Sequence, residues 1–168
     1  MPIERIFERD VDLLLAEEFG VNPAFADHVK SLTKFAGEPA TVAEFWVSKS
    51  DTLGESDLVV VYQRSDGSRF ALLIEDKVDA NLQPDQAARY RMRAERERSK
   101  GMYADFEVIL CSPAFYFENH GDLGVFDRRI SFEQLKAVVF VVPPAYAAPT
   151  LLLEDHPGLD TPPPKYRT

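Results

Sequence analysis

Three charged side chains, Asp57, Glu75 and Lys77, are brought to one place by a predicted β-hairpin. Residues 58–62 and 70–74 are short apolar runs rich in branched and aromatic side chains, and a polar turn that contains glycine separates them. Antiparallel pairing places the start of the first strand beside the end of the second. Because alternate residues of a strand share a face, Glu75 and Lys77 point to the same side.

These residue types suit the chemistry of phosphate esters. Carboxylate oxygens are the ligands that Mg²⁺ prefers, and the ion fills its remaining positions with water and substrate phosphate. A lysine beside such an ion can orient or activate the attacking water and stabilise charge on the phosphate. The sequence therefore predicts a Mg²⁺ or Mn²⁺ site. Asp76 points to the other face by the same alternation, so it is not expected to bind the metal.

A helix is predicted from residue 84 to about residue 100, because a proline suits its first turn and an aspartate its positive end. Gln86 and Tyr90 lie one turn apart on this helix and are expected to face the site. Gln83 is near enough to compete with Gln86 as the amide of the site, but only Gln86 has a tyrosine one turn further on.

The same helix is the candidate phosphate-binding surface. The chain carries a net charge of −9, which argues against a protein that coats nucleic acid. Residues 84–101 nevertheless hold six basic and three acidic groups. Arg89, Arg93 and Arg96 are predicted to hold a nucleic acid strand by charge rather than by reading bases. The alternative is a solvated helix face with ion pairs such as Arg93 with Glu97.

Taken in order, Asp57, the hairpin, Glu75-x-Lys77 and Gln86-x-x-x-Tyr90 resemble the motifs of the PD-(D/E)xK nuclease superfamily, in its RecB-like and lambda-exonuclease-like branches. The proline that names the motif is replaced here by Ser56, at a position that varies within the superfamily. The resemblance implies an α/β fold with a restriction-endonuclease-like core, in which helices flank a mixed central β-sheet.

The resemblance also implies an activity and a role for each residue. The activity is Mg²⁺- or Mn²⁺-dependent hydrolysis of DNA phosphodiester bonds. Asp57 and Glu75 would bind the metal, and Lys77 would position or activate water. Gln86 and Tyr90 would orient the scissile phosphate or the lysine.

Residues 3–19 are predicted to form an amphipathic helix, in which Glu18 falls in the middle of the apolar face. A carboxylate there is costly unless it is paired or bound to metal. Many members of the superfamily carry a glutamate on an N-terminal helix that supports the metal site. Glu18 resembles this residue, and Glu17 is the second choice. A solvent-facing helix end remains the alternative for Glu18.

The remaining elements complete an α/β pattern. With a single cysteine, Cys111, the chain can form no internal disulfide. The further predictions are a helix over 23–35, strands over 42–47 and 106–111, a loop over 113–124, a strand over 126–130 and a closing helix that starts with an N-cap at Ser131.

The chain is predicted to contain one nuclease-like domain, residues 1–142, and a tail, residues 143–168, which holds seven of the twelve prolines. The tail could wrap the domain through Leu151–Leu153, contact a protein partner or be disordered. No signal peptide or membrane span is predicted, so the expected location is the cytoplasm. The sequence leaves open whether the substrate DNA is single- or double-stranded and whether a homodimer forms.

Two other functions compete with a nuclease. The first is a noncatalytic nucleic-acid-binding or protein-interaction module on the same scaffold, which the acidic net charge favours. The second is a structural role for the charges as surface ion pairs, which leaves the Glu75-x-Lys77 strand end without a purpose.

A catalytic site and a pure interaction domain differ in their response to metal. If the carboxylates bind Mg²⁺ or Mn²⁺, either ion will raise the melting temperature, because a ligand that binds only the folded state stabilises it. Thermal unfolding with each ion and with EDTA measures the effect. An unchanged melting temperature would favour the interaction module.

Overall fold

The computed structural model describes residues 8–51, 54–120, 123, 126–139 and 165–167. In chain order, its elements are α1 (Glu8–Val21), α2 (Pro23–Ser31), β1 (Ala40–Asp51), β2 (Gly54–Arg64), β3 (Arg69–Asp76), α3 (Gln86–Ser99), β4 (Asp105–Ser112), α4 (Ala114–Asn119), β5 (Arg128–Ser131), α5 (Phe132–Val139) and β6 (Lys165–Arg167). The fold is mixed α/β. No helix within these ranges is long and apolar enough to cross a membrane.

One mixed sheet organises the domain, in the order β5-β4-β3-β2-β1-β6. The strands β1, β2 and β3 pair antiparallel, whereas β4 and β5 add to β3 in parallel. At the other edge, the three residues of β6 pair in parallel with Glu44–Trp46 of β1. Five strands therefore form the body of the sheet, and the short sixth strand extends it.

The predicted hairpin is confirmed by the register, which pairs Leu58 with Ile74 and Tyr62 with Phe70. The turn between β2 and β3 contains Gly67, whose φ of 84° lies in the left-handed region that glycine adopts readily. This register places Asp57, just before Leu58, opposite Glu75, just after Ile74. The hairpin thus delivers both carboxylates to one end of the sheet.

Alternate residues of β2 and β3 bury two separate cores. One face carries Leu58, Val60, Tyr62, Phe70, Leu72 and Ile74, and packs against α1, α2 and α5. The other face carries Val59, Val61, Ala71 and Leu73, and packs against Tyr90 and Ala94 of α3. Because both faces are covered, these two strands are continuously apolar, as is typical of a central strand between two helical layers.

Several element boundaries differ from the predictions. The first helix is described from Glu8, since the preceding seven residues lie outside the described ranges, and the second helix ends at Ser31 rather than at residue 35. The predicted loop over 113–124 contains the short helix α4. The predicted cap of the closing helix is confirmed, because the Ser131 hydroxyl accepts from the Gln134 amide and the Gln134 side chain accepts from the Ser131 amide.

The predicted tail, residues 143–168, lies outside the described residues except for its strand-forming part. Residues 165–167 pair with β1, so this part of the tail joins the domain. Leu151–Leu153, a candidate for wrapping the domain, falls outside the described ranges.

A stack of three aromatic rings supports the hairpin. Phe70 is fully buried, and its ring centroid lies 3.9 Å from that of Phe35 and 5.0 Å from that of Tyr62. Phe70→Ala should lower the free energy of unfolding by about 3–5 kcal/mol, because it leaves a cavity between the two remaining rings. Urea unfolding measures the loss. Leu14→Ala, at a side chain that is 44% exposed, is the control and should change stability by less than about 1 kcal/mol.

Candidate functional site

Acidic side chains from both faces of the sheet meet where β2 begins and β3 ends. By the alternation of the strands, Glu75 lies on the face that α3 covers, and Asp76 on the face that α1 covers. Both carboxylates are buried. The end of the hairpin therefore offers acidic groups to two helices at once.

On the α3 face, Gln86 and Tyr90 hold two of the predicted metal ligands, Glu75 and Asp57. The Gln86 side-chain amide donates to Oε1 of Glu75 at 2.5 Å. The Tyr90 hydroxyl accepts from the backbone amide of Asp57 at 2.8 Å, and it also bonds to the Glu75 carboxylate. Burial and the nearby negative charge of Glu75 raise the pKa of Tyr90 well above its usual value, so the phenol keeps its proton.

The start of α3 differs from the prediction in a way that matters for Gln86. The helix begins at Gln86, and Asp85 precedes it in the left-handed region, with a φ of 57°. Asp85 is the only non-glycine residue in the described ranges with a positive φ. Such a conformation is uncommon for a residue with a Cβ and tends to occur at functional sites. The backbone amide of Gln83 also fixes Gln86, because it donates to the side-chain oxygen of Gln86 at 2.9 Å.

Lys77 lies between two acids. Its Nζ is 2.7 Å from Oε1 of Glu75 and 3.1 Å from Oε2 of Glu8, and its side chain is only 8% exposed. Burial alone would lower the pKa of the ammonium group, but the charge of Glu75, followed by that of Glu8, outweighs it and the pKa is raised. Lys77 is therefore a cation at neutral pH.

On the opposite face, Asp12 of α1 meets Asp76. One carboxylate oxygen each from Asp12, Asp57 and Asp76 lie within 4.8 Å of one another. Oδ2 of Asp57 accepts from the Asp76 amide at 3.3 Å, which ties these two groups together. The three oxygens are close enough together to share one divalent ion, whose bonds to oxygen measure roughly 2.0–2.6 Å.

The electrostatics of this cluster are those of carboxylates without a sufficient countercharge. Burial, reinforced by the charge of Glu75, raises the pKa of Asp57 to about 9. Burial, together with the hydrogen bond to Asp12, raises the pKa of Asp76 to about 11. Burial also raises the pKa of Asp12. Without a bound metal ion, Asp57 and Asp76 are therefore protonated at neutral pH.

Several buried oxygens of the cluster find no donor among the described groups. They are Oδ1 of Asp12, both carboxylate oxygens of Asp76 and Oε2 of Glu75. Two carboxyls can bond to each other only when one of them is protonated, so the contact of Asp76 with Asp12 does not satisfy both as anions. A divalent cation would satisfy them. The donor set, all oxygen, fits a hard ion such as Mg²⁺ or Mn²⁺.

Two expectations about the ligands change. Asp76 does point away from Glu75, as the alternation predicts, but α1 lies on that face and supplies Asp12, so Asp76 belongs to the candidate metal group after all. Glu18 is buried, and its carboxylate accepts from the side-chain amide of Asn22 at 2.7 Å. It lies six residues, about 9 Å of helix rise, beyond Asp12. Glu17 is exposed.

Asp12 was missed because the predicted apolar face of α1 was centred too close to Leu14. The buried face of the helix consists of Asp12, Leu15, Ala16, Glu18 and Phe19, whereas Leu14 is 44% exposed. A signal was available in the sequence. Asp12 precedes Leu15 by three positions, Ala16 by four and Phe19 by seven, which is the spacing of one helix face.

The three arginines of α3 that are predicted to contact nucleic acid mostly bond to groups within the chain instead. Arg93 is 4% exposed, donates from Nε to the Ser56 hydroxyl at 2.9 Å and lies 4.5 Å from the centroid of the Tyr90 ring. It is thus out of reach of a strand on the surface, and it supports Tyr90 instead. Arg89 donates to Oε1 of Gln83 and to a backbone carbonyl of the same loop. Arg96 lies 4.0 Å from Glu97 and is partly exposed.

Compared with models of protein families, with curated proteins and with solved structures, the chain gives no significant match.

The raised pKa values of Asp57 and Asp76 predict how stability depends on pH. In the folded, metal-free protein, Asp57 keeps its proton up to about pH 9 and Asp76 keeps its proton up to about pH 11. An unfolded aspartate releases its proton at about pH 4. Between about pH 4 and about pH 9, the folded state therefore binds more protons than the unfolded state. Its free energy of unfolding should fall as pH rises from about 5 to about 9, by on the order of 1 kcal/mol per pH unit for each proton.

Urea unfolding in EDTA at several pH values measures this slope. Asp76→Asn removes one titrating group, so its slope should be shallower than that of the wild type. A wild-type stability that is constant or rises over this range would contradict the assignment of protonated carboxyls.

Proposed function

We propose that the protein is a metal-dependent nuclease that hydrolyses DNA phosphodiester bonds. One observation carries the proposal. Carboxylates from α1, β2 and β3, buried except for the half-buried Asp57, converge with a buried lysine at the end of one hairpin, and several of the buried oxygens have no donor among the described groups. Buried acids are costly unless they are paired or bind a cation. A metal-ion site therefore explains this arrangement better than a purely structural role in the core.

Asp12, Asp57 and Asp76 would hold the ion, with Glu75 beside them. A bound Mg²⁺ or Mn²⁺ lowers the pKa of coordinated water and neutralises charge on a phosphoryl group. The buried position of the carboxylates limits the entry of bulk water and keeps their orientation fixed before substrate binds.

The other residues of the site have roles that follow from their contacts. Lys77, a cation held between Glu75 and Glu8, would place positive charge near the phosphate and orient the attacking water. Gln86 holds Glu75 through its amide, and Tyr90 holds the backbone of Asp57, so both act by positioning these acids. Arg93 supports Tyr90 from behind, in place of the DNA contact expected of it.

We further propose that the sheet is a restriction-endonuclease-like core. An antiparallel unit of β1, β2 and β3, extended in parallel by β4 and β5, supports this proposal, as does the crossover through α3. The order of Asp57, Glu75-x-Lys77 and Gln86-x-x-x-Tyr90 along these elements agrees with the resemblance to the PD-(D/E)xK superfamily.

A noncatalytic binding module on the same scaffold is the second candidate. It is favoured by the net charge of −9 and by the ion pairs that occupy basic groups of α3, including Arg91 with Asp127 and Lys100 with Glu97. Such a module would bind a partner without cutting it, so cleavage distinguishes the two candidates.

The proposal predicts Mg²⁺- or Mn²⁺-dependent cleavage of labelled single-stranded, duplex or circular DNA, measured by gel electrophoresis. Asp57→Ala should abolish cleavage because it removes an ion ligand. Lys77→Ala should slow cleavage by about 100-fold or more, because a preorganised charge at the phosphate is lost. Cutting of the circular substrate would show internal cleavage.

A matched pair of variants on α1 tests the ligand assignment. Asp12→Asn should weaken both cleavage and the rise in melting temperature caused by Mn²⁺, whereas Glu18→Gln, at an equally buried acid bonded to Asn22, should preserve both. Equal effects of the two substitutions would refute the role of Asp12. No cleavage of any substrate, together with no metal-induced stabilisation, would refute the nuclease.

A further inference from the structure

An aromatic platform lies at the side of the candidate site. The imidazole ring of His120 stacks on the ring of Tyr116, with centroids 3.9 Å apart and planes inclined by 16°. Tyr116 is fully buried, while His120 is half-buried at the surface. One face of the imidazole is thus supported by a buried ring, and the His120 side chain is itself partly exposed.

Both ring nitrogens of His120 are engaged, which fixes the plane of the ring. Nδ1 donates to the Tyr116 carbonyl oxygen at 2.9 Å, and Nε2 lies 3.1 Å from the side-chain amide of Asn81, whose NH2 group can donate to it. A histidine that served as a proton shuttle would need a free nitrogen. One that is held at both nitrogens offers a rigid flat surface instead.

The platform is next to Lys77. The Lys77 amide donates to the Cys111 carbonyl of β4 at 2.9 Å, and α4, which carries Tyr116, starts only three residues later. The Tyr116 hydroxyl donates to the Ala80 carbonyl, three residues after Lys77, at 2.8 Å. Burial raises the pKa of the Tyr116 phenol, and the positive charge of Lys77 opposes that rise. The stack therefore borders the site that would hold the scissile phosphate.

Flat aromatic surfaces beside a phosphate-binding group are how proteins hold unpaired nucleotides. Histidine is among the side chains on which splayed-out bases stack. A base within a duplex has both faces covered by its neighbours, so it cannot stack on a protein ring unless it is extruded. An aromatic platform thus selects unpaired nucleotides.

The charges of α3 agree with this selection. Binding of duplex DNA depends mainly on neutralising phosphates along both strands. Of the basic groups on α3, Arg93 is buried and others face carboxylates of the chain, as Arg91 faces Asp127 and Arg98 faces Glu95. Stacking of a base on an aromatic ring adds binding energy of its own to the phosphate contacts that a single strand makes.

We propose that the His120 ring stacks on an unpaired nucleobase of the substrate, so that the protein acts on single-stranded rather than duplex nucleic acid. This inference rests on the proposed nuclease function for its catalytic meaning. The binding itself does not require that cleavage occurs.

The test is the binding of fluorescently labelled oligonucleotides, measured by anisotropy. The probes are a single-stranded DNA of mixed sequence, the same strand with abasic positions, the matching duplex and a single-stranded RNA. Each is measured with EDTA and with Ca²⁺, which takes oxygen ligands of the same kind as Mg²⁺. The wild type should bind the single strands more tightly than the duplex, and abasic positions should weaken binding.

His120→Ala should weaken binding of the single strand by about 5- to 100-fold, in line with the loss of one stacked base. His120→Phe keeps a ring on Tyr116 and should restore most of the affinity, whereas His120→Asn should not. His28→Ala is the matched control, because His28 also bonds a backbone carbonyl, that of Gln134, but lies on α2, away from the site. It should bind as the wild type does.

Three results would overturn the inference: duplex binding as tight as that of the single strand, equal affinity of the His120 variants and the wild type, or no binding of any single strand by the wild type. The RNA arm tells whether the 2′-hydroxyl is accepted. His120-dependent binding without cleavage would preserve this inference and refute the nuclease. Cleavage of duplex DNA that is insensitive to His120→Ala would support the nuclease and refute this inference.

Discussion

The repulsion among buried carboxylates is the constraint on which this structure depends. Asp12, Asp57, Glu75 and Asp76 are held at the end of one hairpin, with Lys77 as the nearby cation. In a site of low dielectric these acids cannot all be ionised against one ammonium group, so protons or a divalent ion must supply the balance. The large upward shifts in the pKa of Asp57 and Asp76 express the same imbalance. A fold that kept this cluster only for stability would gain by replacing it with apolar side chains.

The same cluster joins the layers of the domain. Glu75 is bound by Gln86 from α3, and Asp76 contacts Asp12 from α1, so neighbouring residues of one strand hold helices on opposite faces of the sheet. Lys77 adds a contact to Glu8, one turn before Asp12 on the same helix. The position of each helix is therefore coupled to the ionisation of the site, because a change of charge on either carboxyl alters contacts in both layers.

Much of the hairpin and of its site was predictable from residue types alone, and the failures have physical causes. The register of β2 and β3 follows from two apolar runs and a short turn, and it fixes Asp57, Glu75 and Lys77 together. The one-turn spacing of Gln86 and Tyr90 predicted that both side chains share a helix face, and both contact Glu75.

Asp12 was missed because Leu13, Leu14 and Leu15 allow two apolar faces on one helix, and only packing against the sheet decides between them. The alternation of side chains along β3 correctly placed Asp76 on the face opposite Glu75. Asp76 was nevertheless excluded as a metal ligand, because the prediction took no account of a helix on that face. The internal pairing of arginines on α3 depends on partners distant in sequence, such as Asp127 for Arg91.

The short pairing of β6 with β1 covers part of an exposed edge of the sheet. A strand as long as β1, at twelve residues, would otherwise present a row of unsatisfied backbone donors and acceptors along the open side of the sheet. Such an edge is a template for pairing with another chain, and proteins commonly protect it. The segment Lys165–Arg167 covers the middle of that edge at Glu44–Trp46, directly after the irregularity between Val42 and Glu44. Proteolytic trimming that removed this segment would leave the acidic end of the hairpin intact and yet favour edge-to-edge aggregation.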